Sequence, residues 1–170
     1  MYCYFYDANG KTVEVQRNNR YDYSTYSEEW QQAMGYYTVP EKASTCMLQI
    51  AIFGTAYDCW IDDVAWSLID DSVDIFGFDV LDQQGNIAGW TVTQPAAAKV
   101  DKKVYRDGKA SLFVSQTLNS AHTRVMSDVM IPVERDTRYK VTAYIKSYGC
   151  NINSEGGRLY AYTYDKDGKS

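Results

Sequence analysis

Over residues 138–147 the side chains alternate without a slip: Tyr139, Val141, Ala143 and Ile145 fall on one side, Lys140, Thr142, Tyr144 and Lys146 on the other. Successive residues of an extended chain point to opposite faces, so this stretch buries its apolar set and wets its polar set only as a β-strand. The same period of two recurs along the chain with turn residues between, and helical periodicity is nearly absent. The chain is therefore expected to be all-β. Residues 2–6 read as a strand ending in the turn Asp7-Ala8-Asn9-Gly10, and residues 30–39 as another, closed by Pro40. Residues 45–53 and 57–68, joined at Gly54-Thr55-Ala56, read as one hairpin rich in Ile, Val and Trp. After Ile69-Asp70-Asp71-Ser72 the pattern restarts at Phe76-Gly77-Phe78-Asp79, followed by strands near 89–92, 110–115, 125–133, 138–147 and 159–164. About eight to ten strands at this spacing predict a jelly-roll β-sandwich of two antiparallel sheets.

The first strand has a second copy. Tyr2-Cys3-Tyr4-Phe5-Tyr6-Asp7-Ala8-Asn9-Gly10-Lys11-Thr12 and Tyr160-Ala161-Tyr162-Thr163-Tyr164-Asp165-Lys166-Asp167-Gly168-Lys169-Ser170 align at an offset of 158 positions, from Tyr2 to Tyr160. Self-similarity at a fixed offset marks a tandem array, and an offset nearly as long as the chain leaves room for about one repeat. The chain thus reads as a repeat cut in its middle: residues 1–70 form the back half of a sandwich module and residues 71–170 the front half. Either half alone would expose an apolar sheet face and open strand edges. The halves are expected to meet, in a circularly permuted monomer or by exchange between chains as a strand-exchanged dimer.

Composition narrows the partners. With 170 residues and 45% hydrophobic content the chain can bury one sizeable core. The net charge is −5 and no basic run exceeds Lys102-Lys103, which argues against nucleic acid as a partner. No apolar stretch approaches the roughly 18 residues of a membrane span. Four cysteines without CxxC spacing and a single histidine, His122, give no familiar zinc pattern. His122 lies in the polar stretch Asn119-Ser120-Ala121-His122-Thr123 with no Gly-x-Ser-x-Gly elbow nearby. Glu28-Glu29 and Asp62-Asp63 are paired acids, but neighbours on a strand point to opposite faces, unlike two carboxylates that flank a glycosidic bond. Catalysis is not expected.

Aromatic residues are abundant, at 15%, with 16 tyrosines against 5 phenylalanines. Tyrosine joins a flat apolar face to a polar rim and suits a half-wet surface. In the first strand Cys3 and Phe5 alternate with Tyr2, Tyr4 and Tyr6; the apolar pair is expected inside and the tyrosines outside. Trp30, Trp66 and Trp90 stand in apolar settings and are expected in the core, whereas Trp60, beside Tyr57 and near the sandwich edge, is a candidate platform.

From residue 72 onward, Phe78-Asp79, Gly89-Trp90, Gly108-Lys109-Ala110-Ser111-Leu112, the strand from Tyr139 to Ser147 and Tyr164-Asp165-Lys166-Asp167-Gly168-Lys169 resemble the front part of carbohydrate-binding modules of the family 4/9/22 jelly-roll type. Tyr6-Asp7-Ala8-Asn9-Gly10-Lys11, Trp30, Val39-Pro40 and Trp60-Ile61-Asp62-Asp63-Val64 resemble the back part, so the likeness runs in permuted order. It implies non-catalytic binding of a polysaccharide or oligosaccharide on an outer sheet face or a loop rim. It also implies a secreted or cell-surface setting, as one module of a larger bacterial protein. Sugars stack on aromatic rings in a row, which makes Tyr4, Tyr6, Tyr144, Tyr162 and Tyr164, with Trp60 and the polar neighbour Lys146, the candidate ligand-binding residues. The resemblance further implies a structural calcium, with Asp62, Asp63 and Asp79 as candidate ligands and backbone carbonyls near Gly108 and Lys109 completing the shell. Capping of turns by the same acids is the plainer role. A competing function is that of a structural spacer repeat whose Tyr-rich face packs on its neighbours.

Overall fold

The structure is a computed structural model that describes residues 1–17, 28–52, 57–68, 74–76, 78–83, 87–94, 97–116 and 123–149. Twelve strands run through these residues: β1 (Tyr2–Tyr6), β2 (Thr12–Arg17), β3 (Gln31–Thr38), β4 (Thr45–Ile52), β5 (Tyr57–Leu68), β6 (Asp74–Phe76), β7 (Trp90–Val92), β8 (Ala98–Asp101), β9 (Ser111–Gln116), β10 (Thr123–Ser127), β11 (Ile131–Pro132) and β12 (Arg138–Tyr148). They form two antiparallel sheets. The first runs β2-β1-β4-β10-β7 with β11 beside β4, and the second runs β3-β12-β5-β9-β8 with β6 beside β5. The protein is an all-β sandwich, as the alternation requires.

One core fills the space between the sheets. Cys3, Phe5, Leu48, Ile50, Val125 and Trp90 enter it from the first sheet, and Tyr37, Ile61, Val64, Trp66, Leu112 and Val141 from the second. Trp66 stacks on Tyr139 at 4.6 Å between ring centroids, and Phe78 meets Trp90 at 5.4 Å. Trp66 and Trp90 are buried as expected, while Trp30 is only half-buried. Strands before residue 69 and strands after residue 73 share both sheets: in the second, β12 inserts between β3 and β5, and in the first, β4 pairs with β10 along the seam where the two sets meet. A side-chain amide closes one margin of the sandwich. Gln16 on β2 donates from Nε2 to the Thr38 carbonyl and accepts the Thr38 N–H on Oε1 at 3.0 Å, so it treats the edge of β3 as a strand would.

Several expectations are corrected. β4 and β5 are not a hairpin, because β4 pairs with β1, β10 and β11 in one sheet and β5 with β12, β9 and β6 in the other. Alternation says which side of a strand is buried; it does not say which sheet the strand joins, and distant partners capture both edges of each. The strand expected over 125–133 is broken after Ser127, whose hydroxyl accepts the Leu48 N–H at 3.1 Å and donates to the Val129 carbonyl. The short strands β2 and β8 escaped the pattern reading. The second copy of the first strand, including Tyr162 and Tyr164, lies outside the described residues, as do His122 and Cys150. Cys3, Cys46 and Cys59 are free and buried.

Candidate functional site

The outward set of β12 stands on the outer face of the second sheet, and strand register places its neighbours. Lys146 pairs with Trp60 on β5, Trp60 with Phe113 on β9, and Phe113 with Lys99 on β8. Four consecutive strands therefore carry cation, ring, ring, cation in one transverse row. The Trp60 and Phe113 rings lie 5.1 Å apart and tilted by 56°, and Lys99 Nζ stands 4.9 Å from the Phe113 centroid. Both residues are half-buried, and Lys99 stands over the Phe113 ring. Trp60 is not near an edge of the sandwich but on a central strand, and its indole N–H donates to Asp101 Oδ2 at 2.9 Å. Burial pushes the Asp101 carboxyl up, but the donors Trp60, Lys103 N–H and Val104 N–H, with Lys99 close by, outweigh it and hold the group below the usual carboxylate range. The indole plane is thereby fixed by a charged acceptor.

Tyr144 pairs with Gln32 on one side and Asp62 on the other, one step along the sheet from this row. Its ring is covered by the Arg106 guanidinium, 3.6 Å from the centroid, and Arg106 forms an ion pair with Asp63. Arg106 belongs to the loop 102–109 between β8 and β9, which aspartates pin to the sheet. Asp62 Oδ2 accepts the Arg106 N–H at 2.7 Å and the Asp107 N–H at 3.4 Å, Asp62 Oδ1 accepts the Asp63 N–H, and Asp79 Oδ1 accepts the Lys109 N–H at 2.8 Å. Asp62 is 2% exposed. Burial raises its carboxyl above the usual range, and the three backbone donors work against that rise.

The expectation that Asp62 and Asp63 point apart is corrected by a β-bulge. The pairing of β5 with β12 shifts between Thr142 and Tyr144, and Asp63 adopts φ 48°. Inward residues Cys59 and Ile61 are followed by Val64 and Trp66, out of phase by one, and both acids turn toward Arg106. This arrangement does not fit a calcium ion held by Asp62, Asp63 and Asp79. The loop offers them N–H groups and a guanidinium, which take up the lone pairs a cation would need. Among the described residues no three His, Cys, Asp or Glu side chains are grouped to hold a metal.

The candidate rings divide between two surfaces. Tyr4 and Tyr6 are half-buried on the outer face of the first sheet, where the Tyr4 hydroxyl donates to Gln49 Oε1 at 3.2 Å. Tyr2 also faces outward but is only 9% exposed. Stacked sheets are about 10 Å apart, so these tyrosines and Tyr144 look away from each other and share no row. Trp60, Tyr144 and Lys146 do come together. Phe113 was missed although alternation signals it, since Ser111, Phe113 and Ser115 oppose the buried Leu112 and Val114. Lys99 and Arg106 carry no such signal, one on a strand of four residues and the other in a loop.

A cleft of about 840 Å³ opens beside the row, between the outer edges of β7 and β8, with Val92, Val100, Lys99, Lys102 and Asp128 in its walls. Two antiparallel sheets packed face to face around one core define the class of the protein as a β-sandwich. Residues 74–167 match the family model described as carbohydrate binding domain, of the 4/9 type. That is more than half of the chain, and the chain belongs to this family of carbohydrate-binding domains. No curated protein matches the chain, and no solved structure does. Among the described residues no helix is long and apolar enough to cross a membrane.

Proposed function

We propose that the chain binds polysaccharide non-catalytically on the outer face of the second sheet, with Trp60 and Phe113 as the platform and Tyr144 and Lys146 as flanking groups. The observation that carries this reading is the Trp60–Phe113 ring pair, half-buried and locked by the Asp101 hydrogen bond. A pyranose presents one apolar face of C–H groups, which stacks on such a ring while its hydroxyls bond to nearby polar groups. A rigid platform loses little entropy on binding, which matters because a polar ligand surrenders much of its hydration on leaving water. The chain then serves as one module, in permuted order, of a secreted or cell-surface bacterial protein. The insertion of β12 between β3 and β5 in the second sheet, and the pairing of β4 with β10 in the first, support completion of the module within one chain.

Electrophoresis through gels containing xylan, β-glucan, mannan or pectin tests this. At least one polymer is expected to retard the protein, and Trp60→Ala should remove the retardation while the protein still melts cooperatively, at a lower midpoint because the Phe113 contact and the Asp101 hydrogen bond are lost. Uniform mobility across the panel overturns the reading in favour of a structural spacer. The spacer reading has its own support in the Arg106 guanidinium, which occupies the Tyr144 ring as packing would.

A further inference from the structure

We propose that the glycan taken by this face is acidic, with uronic-acid carboxylates met by Lys146 on one side of the ring pair and Lys99 on the other. This deepens the carbohydrate reading above and rests on it. Strands lie about 4.8 Å apart, so the backbones of Lys99 and Lys146 are separated by about 14 Å across the row. That places an ammonium group at each end of the two rings.

The outward side of β12 carries charge opposite to that of the chain. The net charge is −5, yet the outward residues of β12 are Arg138, Lys140, Thr142, Tyr144, Lys146 and Tyr148, three cations and no acid. The carboxylates nearby are occupied. Asp101 serves Trp60 and two backbone N–H groups, Asp58 Oδ1 accepts the Ser115 hydroxyl at 2.8 Å, Asp62 holds the loop 102–109, and Asp63 pairs with Arg106. Arg106 with Asp63 is the ion pair among the described residues, and it leaves Lys146 and Lys140 with no carboxylate partner there. Lys99 is shared between the Phe113 ring and the field of Asp101. An ammonium group can donate to the hydroxyls of a neutral sugar, but only an anionic ligand also answers its charge. A carboxylate at the C5 carbon of a stacked pyranose lies at the rim of the ring, within reach of a neighbouring lysine, and forms a charge-assisted hydrogen bond.

Polygalacturonate and its fully methyl-esterified form test the proposal, because they share the same rings and differ in the carboxylate charge. The net charge of −5 repels a polyanion in general, so retardation by polygalacturonate reports a local cationic surface and not the charge of the whole chain. Affinity gels and calorimetry are expected to show polygalacturonate binding about tenfold more tightly than the ester, with that preference falling as salt rises from 50 mM to 500 mM. Lys146→Gln should lower affinity for polygalacturonate by about three- to tenfold; Lys146→Glu should lower it further, and both should melt as the parent does. Equal binding of acid and ester overturns the proposal, as does an unchanged affinity in Lys146→Gln. Retardation by neutral xylan or β-glucan but not by polygalacturonate also sinks it, while leaving the carbohydrate reading in place. If none of these polymers binds, both fall.

Discussion

Asp62 Oδ2 accepts the backbone N–H of Arg106 at 2.7 Å, across a separation of 44 residues. The bond couples the bulge of β5 to the loop that carries Arg106 onto Tyr144, so one buried carboxylate positions a cation over a ring of the candidate site. Asp62→Ala leaves the N–H groups of Asp63, Arg106 and Asp107 without their acceptor. A buried donor left unsatisfied costs about 1–3 kcal/mol, but these bonds are only part-buried and water reaches Arg106 and Asp107, so a loss of about 1–2 kcal/mol in urea unfolding is expected. Asp62→Asn keeps an acceptor oxygen and should lose less than half as much. If both variants unfold like the parent, the loop does not depend on this anchor.

Metal removal should leave stability unchanged. The oxygens of Asp62 already take three backbone N–H groups, and Asp63 takes a guanidinium. A calcium ion would have to compete with these donors and gather further oxygen ligands. Melting curves with and without EDTA are therefore expected to coincide, and calcium added at millimolar concentration should not raise the midpoint. A drop of several degrees on chelation would show that another set of oxygens holds an ion.

The Trp60 indole should report the charge of Asp101. The folded-state pKa of Asp101 lies below its ordinary 3.8, so the carboxylate form is favoured in the folded protein. Its stabilising contribution is complete above the ordinary value and is lost as pH falls through the lowered one. The indole N–H resonance of Trp60 is expected to stay constant from neutral pH down to about 4 and to move below that, with a midpoint under 3.8. Asp101→Asn should abolish the movement. A midpoint at or above the ordinary value would mean that the hydrogen bond to Trp60 does not hold the charge.

These anchors also explain what was legible in the sequence. The alternation of Tyr139, Val141 and Ala143 with Lys140, Thr142 and Tyr144 is a local property, and it put the correct face of β12 outside. The phase slip between Ile61 and Val64 was equally present in the sequence, and it marks the bulge that turns Asp62 and Asp63 to one partner. Sheet membership was different, because it depends on partners far along the chain. Nothing within β1 and β12 separates the face of Tyr4 from that of Tyr144, and they were grouped until pairing with β4 and with β5 assigned them to opposite sheets. The calcium expectation comes from the family resemblance, and the sequence does not say which donors those aspartates meet: Asp62 and Asp79 accept backbone N–H groups and Asp63 a guanidinium.

Gly108 tests how closely the loop 102–109 approaches the acid that holds it. Its φ is +70°, and a Cβ built there would lie 2.5 Å from Asp79 Oδ2. Gly108→Ala therefore combines a left-handed backbone cost of about 1 kcal/mol with displacement of a carboxylate that accepts the Lys109 N–H. Gly10 has a similar φ of +76° with no atom within 4 Å of the built Cβ, so Gly10→Ala should show the backbone cost alone. Urea unfolding is expected to place Gly108→Ala about 1–2 kcal/mol below Gly10→Ala. Equal losses would mean that Asp79 moves aside freely.

The two copies of the first strand are not equivalent fillers of one position. In β1 the side chains turned into the core are Cys3 and Phe5, both 0% exposed, with Phe5 opposite Cys46 of β4. Asp7 Oδ1 caps the following turn by accepting the N–H groups of Asn9 and Lys11 at 2.9 and 3.0 Å, and Gly10 supplies the positive φ. At the offset of 158, the copy at 160–168 keeps the three outward tyrosines, the capping aspartate and the glycine, but replaces Cys3 by Ala161 and Phe5 by Thr163. It preserves what shapes a strand and turn and trims what fills the core. Large-to-small changes at such sites cost about 3–5 kcal/mol for a phenylalanine, and the Thr hydroxyl adds an unmet polar group. The double variant Cys3→Ala/Phe5→Thr, which writes the second copy into the first position, is expected to lose about 4 kcal/mol in urea unfolding. At 1.4 kcal/mol per factor of ten, β1 would then hold its place over a second copy by roughly a thousandfold. A loss under about 1 kcal/mol would instead show that the position between β2 and β4 accepts either strand.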